Sequence, residues 1–393
     1  MLEFDHVIAP LTRDQFFTDY WNKSFLAAKG AAGRFTDLLR WDELNAILEQ
    51  HRLGPPRFRL THEGRAIEPF RYMSPGAGGT PQLNSGKLAA CLSEGATLVL
   101  DCVEELAPKV RTLAASFREA LHAGNYVNLY AGWHSQHGLD LHWDSQDIMV
   151  LQLSGKKRWQ IYQPTRLYPL PDDMEAPPKP AGPPIWDGML EDGDMLYIPR
   201  GWWHVAFPIG EPSLHLTVAT VPPHGMDLLQ WLIGRLRRHE TVRADLPRLD
   251  DPRGQKAYLK ALRPLLAEAL ADDAIAEFRH EWEGDLRPLP SIHLPDMPYL
   301  QIETLGDTHR IRLAAAHHLH FTPKGENMEF KAQGVLWSDL PPNLVSALEM
   351  LNDTRAVTFA ELCARLDGDN AKAHLRHTLA ALARAGVITV EKP

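Results

Sequence analysis

Gly193-Asp194-Met195-Leu196-Tyr197-Ile198-Pro199-Arg200-Gly201-Trp202-Trp203-His204 is the stretch from which the fold can be read. Gly193-Asp194 predicts a turn, Met195 to Ile198 a strand, and Pro199-Arg200-Gly201 a tight bend that delivers His204. Upstream, His142-Trp143-Asp144 sets a histidine and a carboxylate two residues apart, so on a strand both side chains leave one face. The strand-like run Ile148 to Leu153 follows closely. Two imidazoles and one carboxylate on one side of a metal leave coordination positions open, the arrangement typical of non-haem Fe(II) sites.

Working outward, Tyr126 to Tyr130, Arg158 to Tyr162 and Ser213 to Val221 also have strand composition, with Ser154-Gly155 and Asp192-Gly193 as turns. Many short strands separated by turns predict a sandwich or barrel. Eight prolines between Pro164 and Pro184, without periodicity, predict an irregular surface excursion. Ahead of the strands, Leu106 to Ala123 is an amphipathic helix with Leu106, Val110, Leu113, Phe117 and Leu121 on one stripe. Thr12 to Trp21 starts as a capped helix, and the Gly- and Pro-rich stretch Met73 to Gly86 reads as a mobile loop.

After Gly225 the texture turns helical, with stripes at Leu228, Leu229, Leu232 and Leu236 and again from Leu259 to Ala271. Prolines 288, 290, 295 and 298 predict a linker. The last ninety or so residues read as strand-like pieces (Arg310 to Leu313, Glu329 to Leu336), two helices and a turn into a β-ending, a winged-helix pattern. The division expected is 1–223, 224–297 and 298–393.

At 393 residues the chain is long enough for two or three cores. A net charge of −9 gives no electrostatic reason to expect nucleic-acid binding by the whole molecule. The three cysteines, Cys91, Cys102 and Cys363, form no CxxC pair and read as reduced thiols of a cytoplasmic protein. No secretory signal or membrane-spanning run is expected. His134 and His137, close to His142, lack cysteine partners and read as a loop at the barrel mouth. His317, His318 and His320 read as an exposed polar strand.

Taken together, Asn128-Leu129-Tyr130, His142-Trp143-Asp144, Gln152, Gly155-Lys156-Lys157-Arg158-Trp159, Pro199 to His204 and Ser213-Leu214-His215-Leu216-Thr217 resemble the ribosomal oxygenase branch of the JmjC/cupin-like hydroxylases. The resemblance covers nearly the whole chain. It implies an α+β fold: a double-stranded β-helix, a helical dimerisation domain at 224–297 and a C-terminal winged helix. It implies His142, Asp144 and His204 as ligands of Fe(II), with 2-oxoglutarate and O₂ as cosubstrates. Lys157 falls where the family holds the distal carboxylate of 2-oxoglutarate, and Asn128 and Tyr130 fall on the strand lining that pocket. Where the family often has a serine, this chain has Ala219, leaving Thr217 or Thr220 to supply the hydroxyl.

The implied activity is hydroxylation of an arginine or histidine side chain in a ribosomal protein, by a homodimer without membrane or nucleic-acid partners. Two rivals stand beside it. One is the same iron chemistry on methyl-lysine or a small molecule; the other is a non-enzymatic regulator binding nucleic acid through the winged helix. Against the latter, the candidate recognition helix, Asn370 to Ala385, offers only Lys372, Arg376 and Arg384 as fixed cations.

Overall fold

The computed structural model describes residues 2–173, 177–286, 290, 292, 305–315, 317–353 and 356–391. The chain forms two compact units, Met1–Pro222 and Pro223–Pro393. No helix among the described residues is long and apolar enough to cross a membrane.

The first unit is built on strands β1 (Leu26–Ala28), β2 (Phe58–His62), β3 (Arg65–Ala66), β4 (Thr97–Leu100), β5 (Gly124–Gly132), β6 (Asp147–Ser154), β7 (Lys157–Tyr162), β8 (Trp186–Leu190), β9 (Met195–Ile198), β10 (Trp203–Pro208) and β11 (Ser213–Val221). A large sheet runs β1-β9-β6-β11-β5-β4-β2-β3, and a smaller one β8-β7-β10. Every strand pairing in both sheets among the described residues is antiparallel, including β11 against β5 and β6. One isolated bridge joins His142 to His204, adding a short rung beside β10.

Two apolar layers follow from strand alternation. Met149, Leu151 and Leu153 of β6 point to a core shared with helix α1 (Pro108–Leu121), whereas Ile148 and Val150 point between the sheets with Trp159, Ile161, Leu196 and Ile198. Because helices cover the outer face, β6 is apolar on both faces and reads as a continuous hydrophobic run. Helix α1 starts with Pro108 in its first turn and ends at His122, whose φ of 49° is left-handed. Its stripe buries Val110, Leu113, Ala114, Phe117 and Leu121. Full burial of a side chain such as Phe117 contributes about 2–3 kcal/mol.

Elsewhere in the first unit one expectation is met in detail and another is not. Thr12 and Gln15 form a reciprocal capping box ahead of Arg13–Asp19. Met73 to Gly86, expected as a mobile loop, instead contains two short paired strands, Met73–Pro75 and Pro81–Leu83, with a helix beginning at Ser85.

The second unit contains α2 (Gly225–Leu236), α3 (Pro252–Ala269) and α4 (Ala274–Asp285). Then come β12 (Arg310–Leu313), β13 (Thr322–Lys324), β14 (Asn327–Ala332), β15 (Val335–Leu340), α5 (Pro342–Asp353), β16 (Val357–Thr358), α6 (Phe359–Cys363), α7 (Asp369–Arg384) and β17 (Ile388–Glu391). Strands β13, β14 and β15 form one sheet, and β16, β12 and β17 another. Both share a core of Ile311, Phe330, Leu348, Phe359, Leu375, Leu379 and Val390. Helix α5 was not anticipated, although Leu344, Leu348 and Leu351 carry its buried stripe. Most of the proline-rich linker lies outside the described residues.

Candidate metal centre

His142 and His204 meet because their backbones pair. His142 N–H donates to His204 C=O at 3.1 Å, and His204 N–H to His142 C=O at 2.7 Å. His142 therefore sits on a single bridge ahead of β6, beside the strands rather than within one. The bend before β10 is held from the same side: Gly201 N–H donates to the carbonyl of Asp144 at 2.9 Å. Gly201 has φ of 83°, and a Cβ there would lie 2.6 Å from Pro169 Cδ and 3.0 Å from the Arg166 carbonyl oxygen. Only glycine fits that turn.

The side chains converge accordingly. His142 Nε2 is 3.9 Å from Asp144 Oδ1, and His204 Nε2 is 3.4 Å from Asp144 Oδ2. One ligand atom from each of the three lies within 4.8 Å of the others, a grouping that could hold a metal ion. The tautomers are set by the other ring nitrogens. His142 Nδ1 is 2.7 Å from the Asp140 carbonyl, and His204 Nδ1 is 3.0 Å from that of Trp202. A carbonyl only accepts, so both Nδ1 atoms carry the hydrogen and both Nε2 lone pairs face the carboxylate. That is how outer-shell partners orient imidazole ligands.

Electrostatics agree. Burial, with the neighbouring His204, lowers the His142 pKa and keeps the ring neutral. Burial alone would raise Asp144, but the contacts with His204 and His142 outweigh it and hold its carboxyl below the usual range.

A pocket opens over this trio, lined also by Tyr130, Lys157, Trp159, His215 and Thr217. Lys157 begins β7 and is only 5% exposed, with no ion pair or hydrogen bond among the described residues. Burial alone pushes its ammonium down to about 7. Tyr130 stacks on His215 with ring centroids 5.0 Å apart and planes 7° from parallel, the two residues facing each other in the β5–β11 register.

Thr217 lines the pocket, Ala219 belongs to the core between the sheets, and Thr220, one step further, faces the opposite side of β11. Asn128 shares a face with Tyr130 but is not among the lining residues; its Oδ1 accepts from Cys102 N–H at 3.3 Å. Trp202 and Trp203 do not line the pocket. Trp202 belongs to the inner core, and the Trp203 ring N–H donates to Thr165 Oγ1 at 2.9 Å. The wall is Trp159, whose ring centroid lies 6.1 Å from that of His204. Trp159 and His215 were missed as site residues, although alternation from Lys157 and from Thr217 would have put both on the inner face.

Residues 106–228, which include the bridge, the trio and the lysine strand, match the JmjC domain family. The chain carries a JmjC domain. Beyond it, the chain is 29% identical over 227 residues to the bifunctional lysine-specific demethylase and histidyl-hydroxylase NO66 of Drosophila persimilis, covering 54% of this chain and 31% of that protein. It is 26% identical over 315 residues to ribosomal oxygenase 1 of Rattus norvegicus, covering 71% and 51%. The JmjC-bearing chain thus spans between about a third and a half of these relatives' lengths. Among solved structures, ribosomal oxygenase YcfD of Escherichia coli aligns with 97% of this chain and 98% of its own, at TM-score 0.60 and 19% identity. A structure of YcfD with cobalt and 2-oxoglutarate aligns at TM-score 0.61, covering 97% and 99%. The likeness shows a shared fold, and the JmjC resemblance read from the motifs holds.

Proposed function

We propose that this protein is an Fe(II)- and 2-oxoglutarate-dependent hydroxylase acting on an arginine or histidine side chain of a ribosomal protein. The observation that carries the reading is the pairing of a convergent two-histidine, one-carboxylate trio with a buried lysine in one pocket, its ammonium 5.9 Å from the Trp159 ring centroid and without an ion pair or hydrogen bond among the described residues. The donor set fits Fe(II): two Nε2 lone pairs, each ring oriented through its Nδ1, and one anionic oxygen. His142, Asp144 and His204 would hold the iron. When bound, iron and O₂ supply the oxidising power, with 2-oxoglutarate as the reductant that becomes succinate and CO₂.

The chain's own contribution is positioning. Lys157, protonated on binding, would pair with the far carboxylate of 2-oxoglutarate, and Tyr130 and Thr217 offer hydroxyls along the same wall. Burial and Asp144 hold the Tyr130 phenol well above its ordinary value, so it stays neutral and can donate. Trp159 and the Tyr130–His215 stack give the pocket aromatic walls.

The other parts of the chain fit a ribosomal oxygenase plan. Domains 224–297 and 298–393 are proposed as a helical dimerisation domain and a winged helix. Met226, Leu229 and Ile233 on α2 are 47%, 50% and 61% exposed, an apolar stripe suited to a second copy. Helices α6 and α7 followed by β17 suit a winged helix. Arg376 on α7 lies 4.9 Å over the Phe359 ring and is engaged in packing, which favours a structural role over nucleic-acid binding. Free cysteines suit a cytoplasmic setting.

The test is incubation with Fe(II), 2-oxoglutarate and candidate ribosomal peptides, followed by mass spectrometry. A gain of one oxygen atom on an arginine or histidine is expected. Loss of a methyl group from methyl-lysine peptides instead, the other activity in the names of the NO66 relatives, would favour demethylation. No succinate formation with any peptide would count against both.

A further inference from the structure

A second group of metal-competent side chains lies in the C-terminal unit, outside the JmjC domain. His280 and Glu283 stand three apart on α4 and so share a helix face. His317 and His320 stand three apart in the segment between β12 and β13. That segment is not the exposed polar strand expected from sequence: His317 is only 8% exposed and lies in no strand.

Glu283, His317 and His320 each bring one ligand atom within 4.8 Å of the others'. His320 Nε2 is 3.2 Å from Glu283 Oε2, and Arg279 reaches the other carboxylate oxygen at 3.9 Å. The His317 and His320 rings are nearly parallel, 11° apart with centroids at 6.2 Å. The His280 ring is exposed and lies 4.8 Å from that of His320.

The decisive atom is His317 Nε2. Its ring partner, Nδ1, is 2.7 Å from the His318 carbonyl and therefore carries the hydrogen. Nε2 is left with a lone pair, buried, and without a hydrogen-bond partner among the described residues. An orphaned buried acceptor is destabilising unless a partner takes its lone pair. This is the arrangement that His142 and His204 show in the first site: Nδ1 tied to a carbonyl, Nε2 free beside a carboxylate.

We propose that Glu283, His317 and His320 bind a divalent transition ion of the zinc type, clipping the end of α4 to the segment between β12 and β13. Two imidazoles and a carboxylate, with His280 or water in the fourth position, form the nitrogen and oxygen set that tetrahedral zinc takes. The ion accepts the His317 lone pair and neutralises a buried carboxylate. Its role is structural, since it joins elements distant in sequence and shares no residue with the pocket of the first site. The rival is a plain His320–Glu283 ion pair, which needs no metal.

The experiment uses the full chain with His142→Ala and Asp144→Ala, so that the first site no longer binds. After chelation, the protein is titrated with Zn(II) and the bound metal counted by mass spectrometry and calorimetry. About one ion per chain is expected, against about two in the wild type, with X-ray absorption showing imidazole nitrogens at about 2.0–2.1 Å. Adding His317→Ala should lower affinity by more than about 100-fold. His320→Ala, at a less buried position, should lower it by at least about 10-fold without disturbing the fold. Absence of zinc binding in the His142→Ala, Asp144→Ala protein would overturn the proposal. So would binding that survives both His317→Ala and His320→Ala.

Discussion

His142 and His204 exchange both of their backbone hydrogen bonds, and their rings sit with centroids 4.3 Å apart. The spacing of the two imidazoles is thus set by a β-bridge and not by side-chain contacts alone. Asp144 is tied to the same bend through Gly201. The trio is preorganised by main chain, so a ligand can be deleted without dismantling its frame.

Asp144→Ala tests that consequence. It removes the only anionic ligand while leaving the His142–His204 bridge intact. Hydroxylation should be lost, and affinity for Fe(II) should fall by more than about 100-fold. The metal-free melting temperature should stay within about 3 °C of wild type, since no core contact is deleted. Calorimetric metal titration and circular dichroism read the two effects separately; collapse of the fold would show that Asp144 holds the bend itself.

Lys157 gives a pH prediction with a definite sign. Its ordinary value is 10.5, and burial lowers it to about 7 in the protein without ligand. Above pH 7 the ammonium must be regained before a dicarboxylate can bind. Affinity for 2-oxoglutarate should therefore fall by roughly tenfold per pH unit above 7, with uptake of about one proton. The folding effect runs the other way. Between pH 7 and 10.5 the unfolded chain holds a proton that the native state has released, so native stability rises with pH across that window. Lys157→Met should weaken 2-oxoglutarate binding and flatten both trends, as calorimetry in buffers of different ionisation enthalpy and urea titrations would reveal.

Much of this site could be read from the sequence because its signals are local. The run from Gly193 to His204 is a turn, a strand and a bend, each with its own residue chemistry, and the structure forms them in that order. The dyad His142 and Asp144 was legible as a pair on or beside a strand, but its single bridge to β10 was not, because that long-range pairing is encoded by no local pattern. Trp202 and Trp203 stand next to His204 in sequence, yet neither lines the pocket: one packs inward and the other turns to Thr165. The burial of His317 was equally hidden, since it depends on α4 packing over a segment more than thirty residues away.

Gly201→Ala should be costly for a reason unrelated to the loss of any ligand. The residue has φ of 83°, and the added methyl would meet Pro169 and the Arg166 carbonyl. Strain of this kind costs about 1–3 kcal/mol. The same change pushes the Gly201 amide away from Asp144, so metal affinity should drop together with stability. A urea midpoint unchanged from wild type would mean that the bend relaxes at no cost.

Thr217 and Thr220 can be separated by a matched pair of substitutions. Thr217 lines the pocket, whereas Thr220 lies on the other face of β11, opposite Asp147 in the β6 register. Both are buried, so Thr→Val at either position removes a hydroxyl at nearly constant volume. Thr217→Val should weaken 2-oxoglutarate binding by about 5–10-fold, the loss of one hydrogen bond of about 1–1.5 kcal/mol. Thr220→Val should leave that binding unchanged, because its hydroxyl cannot reach the pocket without a register slip that would turn every side chain of β11 over. Equal losses from both, measured by calorimetry at fixed metal and pH, would mean that strand integrity, and not a hydroxyl at position 217, sets the affinity.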